Sequence, residues 1–97
     1  MRTPLMAGNW KMHKGPEEAL AFLNGFAEAI GDAGDREVLI CPPFVDLHVM
    51  GQKLRQLGDD APFKLGAQNM HPAEAGAYTG EIAAPMLKAV NWDYVIL

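Results

Sequence analysis

The sequence holds a single cysteine, Cys41, so no disulfide can form within the chain. Its apolar residues never run to the roughly 20 that a membrane span requires. Basic residues are also scarce: 8 Lys+Arg stand against 12 Asp+Glu, a net charge of −4. A nucleic-acid binder needs a basic footprint, so neither nucleic acid nor membrane is expected as a partner. Met1 to Trp10 contain one basic side chain, Arg2, and no long apolar region, which excludes a secretory signal of the usual form. Together these absences favour a reducing cytoplasm. No glycine-rich phosphate loop follows the first apolar run, which argues against nucleotide binding by that route. His13, His48 and His71 lack metal-ligand spacing with one another or with Cys41, so no metal is expected.

What is present is an alternation. Apolar residues make up 49% of the chain and charged residues 21%, an ordinary globular balance, and 97 residues allow one domain at most. Pro4 to Asn9 reads as a short strand. Pro16 to Ile30 has helical spacing, with Leu20, Leu23, Phe26, Ala27 and Ile30 on one stripe and Gly31 as its stop. Glu37 to Cys41 is a second strand, ended by Pro42-Pro43. A second helix follows over Phe44 to Leu57, with Leu47, Met50, Leu54 and Leu57 inward and Gly58 just beyond. Phe63 to Gln68 is a third strand and Asn69 to Gly80 a long loop. Pro85 to Val90 is a short helix with Met86, Leu87 and Val90 inward, and Tyr94 to Leu97 a fourth strand.

Strand starts near residues 5, 37, 63 and 93 recur every 26 to 32 residues. Short apolar strands alternating with amphipathic helices predict a parallel α/β sheet. Eight such units would need roughly 235 residues, close to the ~250 of a (β/α)₈ barrel. Residues 1–97 hold about three βα units and the start of a fourth strand. They end on Val95-Ile96-Leu97 with no turn signal, and are expected to form a single partial domain.

Ligands of parallel α/β folds bind at the carboxyl ends of the strands. Asn9 and Lys11 stand at the first of these. In an extended chain residues two apart share a face, which would place both toward the site and turn Trp10 away. An amide and an ammonium side by side suit an anion; equally, Lys11 is a solvated surface lysine and Asn9 a turn former. Thr79-Gly80-Glu81 ends the long loop, where Thr79 caps the next helix or touches a partner, and Glu81 pairs with a cation or sits in the first turn of the helix. Cys41 reads as a small buried hydrophobe and His48, beside the apolar stripe of the second helix, as a surface or boundary residue. Asp59-Asp60 lies at the opposite end of the sheet from Asn9.

Five segments, in order across the whole chain, resemble the triosephosphate isomerase family. They are Ala7-Gly8-Asn9-Trp10-Lys11-Met12, Cys41-Pro42-Pro43-Phe44, Gly66-Ala67-Gln68-Asn69, Gly76-Ala77-Tyr78-Thr79-Gly80-Glu81-Ile82 and Asp93-Tyr94-Val95-Ile96-Leu97. The resemblance implies a (β/α)₈ TIM barrel that interconverts dihydroxyacetone phosphate and glyceraldehyde 3-phosphate through an enediolate, in glycolysis and gluconeogenesis, without metal or organic cofactor. It implies that Asn9 and Lys11 bind the triose phosphate and that Lys11 is catalytic, stabilising negative charge. It further implies a homodimer whose interface includes Asn69, Met70, His71, Gly76, Ala77, Tyr78, Thr79 and Gly80, with Thr79 resting against Asn9 and Lys11 of the neighbour. Ala83-Ala84 departs from the serine of many relatives. The family's Gly-His-Ser-Glu-Arg segment, with its electrophilic histidine, and the later glutamate base do not occur within residues 1–97, so this chain is expected to be catalytically incompetent alone. Two other readings compete. One is a different phosphate-handling barrel, such as an aldolase or decarboxylase. The other is a small flavodoxin-like regulatory or interaction module; receiver-type versions of it need acidic residues where Asn9 and Lys11 stand.

Overall fold

A computed structural model describes residues 3–30, 36–58, 61–90, 92 and 94–96. Four strands alternate with three helices: β1 (Leu5–Asn9), α1 (Pro16–Ile30), β2 (Glu37–Cys41), α2 (Leu47–Leu57), β3 (Lys64–Ala67), α3 (Ala84–Ala89) and β4 (Tyr94–Val95). A 3-10 turn, Phe44–Asp46, leads into α2. The expected stop at Gly31, the Asp59-Asp60 pair, and Asp93 and Leu97 at the fourth strand lie outside the described residues.

All three strand pairs are parallel, and the sheet order is β1-β2-β3-β4. That order decides between two of the sequence readings. A flavodoxin-like sheet reverses direction after its first crossover and has the order 2-1-3-4-5. Here each strand is laid down beside its predecessor, always advancing the same way, as in a barrel. The core confirms it: Ala19 and Leu23 of α1, Leu47 and Met50 of α2, and Leu87 of α3 all pack with Ile40, Leu65 and Ala67. Ile40 and Leu65 are register partners, so all three helices cover the same face of the sheet.

The opposite face carries Leu39, Cys41, Lys64, Gly66 and Tyr94. Tyr94 Oη donates a 2.8 Å hydrogen bond to Glu37 Oε2, reaching from β4 across β3 to β2. Gly66, the register partner of Tyr94, makes the crossing possible. A Cβ there would lie 2.9 Å from Cys41 Sγ and 3.2 Å from Tyr94 Cβ. Lys64 completes this polar group, 3.8 Å from Glu37 Oε1. β1 and β4 each pair on one side only, and every residue of β1 is exposed.

The helices depart from the predicted stripes in two places. In α1, Leu23 is buried and Phe26 packs against the core as the stripe predicts, joined by Ala19 and Phe22, whereas Leu20, Ala27 and Ile30 are only partly buried and stand outside that core. The cause is an aromatic chain. Trp10 meets Phe22 edge-on at 5.1 Å, Phe22 stacks on Phe26 at 5.1 Å, and Phe26 meets Phe63 at 6.0 Å. Contacts among these four rings, of which Phe63 is buried and the others partly so, favour turning α1 toward Phe22 and Phe26. In α3, Leu87 is buried, but Met86 is exposed and Val90 is only partly buried. A six-residue helix offers one narrow contact line, and Met86 is a residue off it. The α2 stripe is as predicted, and Gly58 ends the helix at φ 70° with its N–H on Leu54 O. No helix among the described residues is long and apolar enough to cross a membrane.

Candidate active site

The carboxyl ends of β1, β2 and β3 are tied together by one side chain. Gln68 follows β3 directly, and its Nε2 donates to Lys11 O at 2.7 Å and to Cys41 O at 2.9 Å. Trp10 N–H also donates to Cys41 O, at 3.1 Å, carrying the β1–β2 ladder one residue beyond Asn9. The chain then turns sharply. Lys11 has φ 55° and Lys14 has φ 73°, the two non-glycine residues with positive φ among those described. A side chain in this region costs of order 1–3 kcal/mol and persists only where the surroundings over-determine it. Around Lys11 they do. Its N–H donates to Asn9 Oδ1 at 2.8 Å and its carbonyl accepts from Gln68.

The structure therefore brings Asn9 and Lys11 together, but by another route than the shared strand face. The strand ends at Asn9, and a left-handed residue cannot continue its two-residue alternation. The amide of Asn9 grips the backbone of Lys11 instead. With Oδ1 committed to that bond, the NH₂ of Asn9 is the part left to meet a ligand. Trp10 packs into the aromatic chain along α1 and at the same time borders the space beside Asn9.

Asn9 and Trp10 line an open hollow of ≈ 430 Å³ with His13, Lys14 and Glu18. Lys14 Nζ lies 5.9 Å from the Trp10 and Phe22 ring centres, so its charge is placed by cation–π attraction. Asn9 and Lys11 are exposed. The hollow thus offers a fixed amide, the Lys14 ammonium and the opposing Glu18 carboxylate, while Lys11, its backbone held by Asn9 and Gln68, is exposed and outside that lining. Burial pushes the Cys41 thiol above its usual range, which disfavours the thiolate.

The long loop folds upon itself. His71 N–H donates to Ile82 O at 2.8 Å, and the His71 ring stacks on Tyr78 at 4.0 Å while its Nδ1 accepts from Ala73 N–H at 3.1 Å. Gly76 at φ 141° and Gly80 at φ 89° make the bends. Gly76, Ala77, Tyr78, Thr79 and Gly80 are all exposed, as is Asn69. Met70 instead turns inward, packing on the core. Thr79 does not cap α3, whose N-cap is Ala83, and Glu81 precedes the helix rather than joining its first turn.

Gln68 is the site residue that sequence reasoning passed over. Its signal was present, an amide directly at the carboxyl end of a strand. Its role is nonetheless to bond backbone carbonyls 57 and 27 residues away, which no side-chain pattern reveals.

A family model described as Triosephosphate isomerase matches residues 4–97. Curated proteins named triosephosphate isomerase align along all or nearly all of the chain. The one from Herpetosiphon aurantiacus is 50% identical over 97 residues, covering 100% of this chain and 37% of its own length. The one from a Synechocystis species is 50% identical over 98 residues, 100% of this chain and 39% of its own. The Aquifex aeolicus protein is 46% identical over 93 residues, 96% of this chain and 36% of its own. The chain thus spans less than two-fifths of the length of these relatives.

Proposed function

The chain belongs to the triosephosphate isomerase family, and from that footing we propose that it supplies the first-strand part of a site interconverting dihydroxyacetone phosphate and glyceraldehyde 3-phosphate. The family fold is a (β/α)₈ barrel, of which these four strands are the first part. The observation that carries the reading is the backbone of Lys11, held left-handed between Asn9 Oδ1 and Gln68 Nε2. Strain maintained by two hydrogen bonds at a strand's carboxyl end supports a positioned charge rather than a free surface lysine.

Isomerisation takes a proton from the carbon beside a carbonyl and delivers one to the carbonyl carbon itself, the neighbour becoming the new carbonyl. Negative charge grows on oxygen in the enediolate, and the phosphate is anionic throughout. An ammonium fixed in place stabilises that charge without reorganising during the reaction. Lys11 is the proposed charge stabiliser and the Asn9 amide the proposed donor to substrate. The histidine and glutamate of proton transfer are proposed to lie beyond residues 1–97. The exposed loop Gly76–Gly80, stiffened by the His71–Tyr78 stack, is proposed to reach a second copy in a homodimer, with Thr79 against that copy's first-strand residues. The reading places the enzyme in cytoplasmic glycolysis and gluconeogenesis.

Titration of the ¹⁵N-labelled chain with glycerol 3-phosphate, a non-reacting triose phosphate mimic, tests the binding claim. Saturable shifts are expected at Asn9, Trp10, Lys11 and the Gln68 side chain. Lys11→Ala should weaken binding at least tenfold, about 1.4 kcal/mol. Equal affinity in Lys11→Ala, or shifts confined elsewhere, would contradict the assignment.

A further inference from the structure

Asp46 closes the turn Phe44–Asp46 just ahead of α2. It is fully shut off from solvent, at 0% exposure. Neither Oδ1 nor Oδ2 meets a hydrogen-bond donor among the described residues. An aspartate in this position ordinarily caps its helix, accepting a bond from a free N–H of the first turn, and the positive end of the helix favours its charge. Asp46 is the N-cap of α2 and makes no such bond.

The turn packs against α1 and α2. From α1 the charge that bears on Asp46 is that of Glu18, in the first helical turn. The other ionisable side chains described on these helices are Glu17 and Glu28 on α1 and His48, Lys53 and Arg55 on α2. None of them donates a hydrogen bond to the Asp46 carboxyl. An unpaired carboxylate in such a position costs several kcal/mol, whereas the neutral acid does not carry that penalty. Burial first, and Glu18 second, push the carboxyl above its ordinary 3.8.

We propose that Asp46 is a pH-sensitive latch between the amino ends of α1 and α2: the neutral acid stays closed in the turn, and its ionisation drives the turn away from α1. Glu18 also lines the hollow beside Asn9, so opening the latch loosens one wall of that hollow. The folded chain holds a proton here that the unfolded chain releases near 3.8. The latch therefore contributes most below that pH. Its contribution falls as pH rises toward the folded value and is lost above it.

Urea unfolding followed by tryptophan fluorescence, from pH 4 to 8, reads this in the intact chain, Asp46→Asn and Glu18→Gln. The unsubstituted midpoint should fall with rising pH relative to Asp46→Asn, which should be the more resistant of the two near neutrality. Glu18→Gln should keep the fall but move it to lower pH, because losing the neighbouring negative charge lets Asp46 ionise more readily. Identical pH dependence in the unsubstituted chain and Asp46→Asn, or a weaker Asp46→Asn at every pH, would overturn the proposal. Should Asp46→Asn fail to fold, carboxyl ¹³C shifts of aspartate-labelled chain decide. One aspartate titrating above the ordinary range, and moving down in Glu18→Gln, is expected; its absence would overturn the proposal.

Discussion

The purified 97-residue chain should isomerise dihydroxyacetone phosphate no faster than its Lys11→Ala variant. Lys11 and Asn9 offer charge and hydrogen bonds, but isomerisation also needs a base to take the proton and an acid to return it. Positioned acid–base groups contribute roughly 10²–10⁴-fold each. With both proposed to lie beyond residues 1–97, the chain forgoes roughly 10⁴–10⁸, leaving nothing for Lys11 to amplify. The measurement is a coupled assay at high protein concentration with the variant as baseline. Turnover well above that baseline would mean that groups within residues 1–97 perform the proton transfer, and the division of labour proposed above would fail.

Two glycines of the helical layer should answer the same substitution with opposite signs. Gly51 is buried in α2, where an added Cβ would lie 2.5 Å from Val90 O and 3.6 Å from Val90 C. Those are backbone atoms at the end of α3, so they cannot rotate aside. Alanine gains about 1 kcal/mol of helix propensity, but forcing α2 away from α3 costs typically 1–3 kcal/mol and reduces packing around Leu47 and Met50. Gly51→Ala should therefore lower stability by about 1–2 kcal/mol, a fall in thermal midpoint of roughly 5–15 °C for a chain of this size. Gly25 sits in α1 with nothing within 4 Å of an added Cβ. No contact requires glycine there, and Gly25→Ala should raise the midpoint by roughly 4–8 °C. Thermal melts of the two variants side by side check the pair. A neutral Gly51→Ala would mean that α2 and α3 do not approach as closely as described.

The elements were legible because their signals are local. The β-branched run at Glu37–Cys41 and the leucine spacing of α2 need no knowledge of the rest of the chain, and both appear where the pattern puts them. The rotation of α1 was not legible in that way. Leu20 and Phe22 are both apolar, and which one faces inward depends on Trp10 and Phe63, distant in sequence and joined only by folding. The site divides likewise. Asn9 and Lys11 are visible at a strand end, and the family resemblance gives them a chemistry. The left-handed backbone of Lys11, the long-range grip of Gln68 and the solitary carboxyl of Asp46 arise from tertiary packing. Sequence periodicity assumes regular backbone, and it fails where the backbone leaves the regular form to build a site.

The most direct test joins this chain to the chemistry it is proposed to complete. Residues 1–97 would replace the aligned segment of the Herpetosiphon aurantiacus relative, which is 50% identical over that stretch. The chimera, shown to be folded by circular dichroism, should interconvert the two triose phosphates. Lys11→Ala in its background should lose at least roughly 10²-fold in kcat/KM, the scale of one preorganised charge-stabilising group. A folded chimera without turnover, or one indifferent to Lys11, would contradict the account.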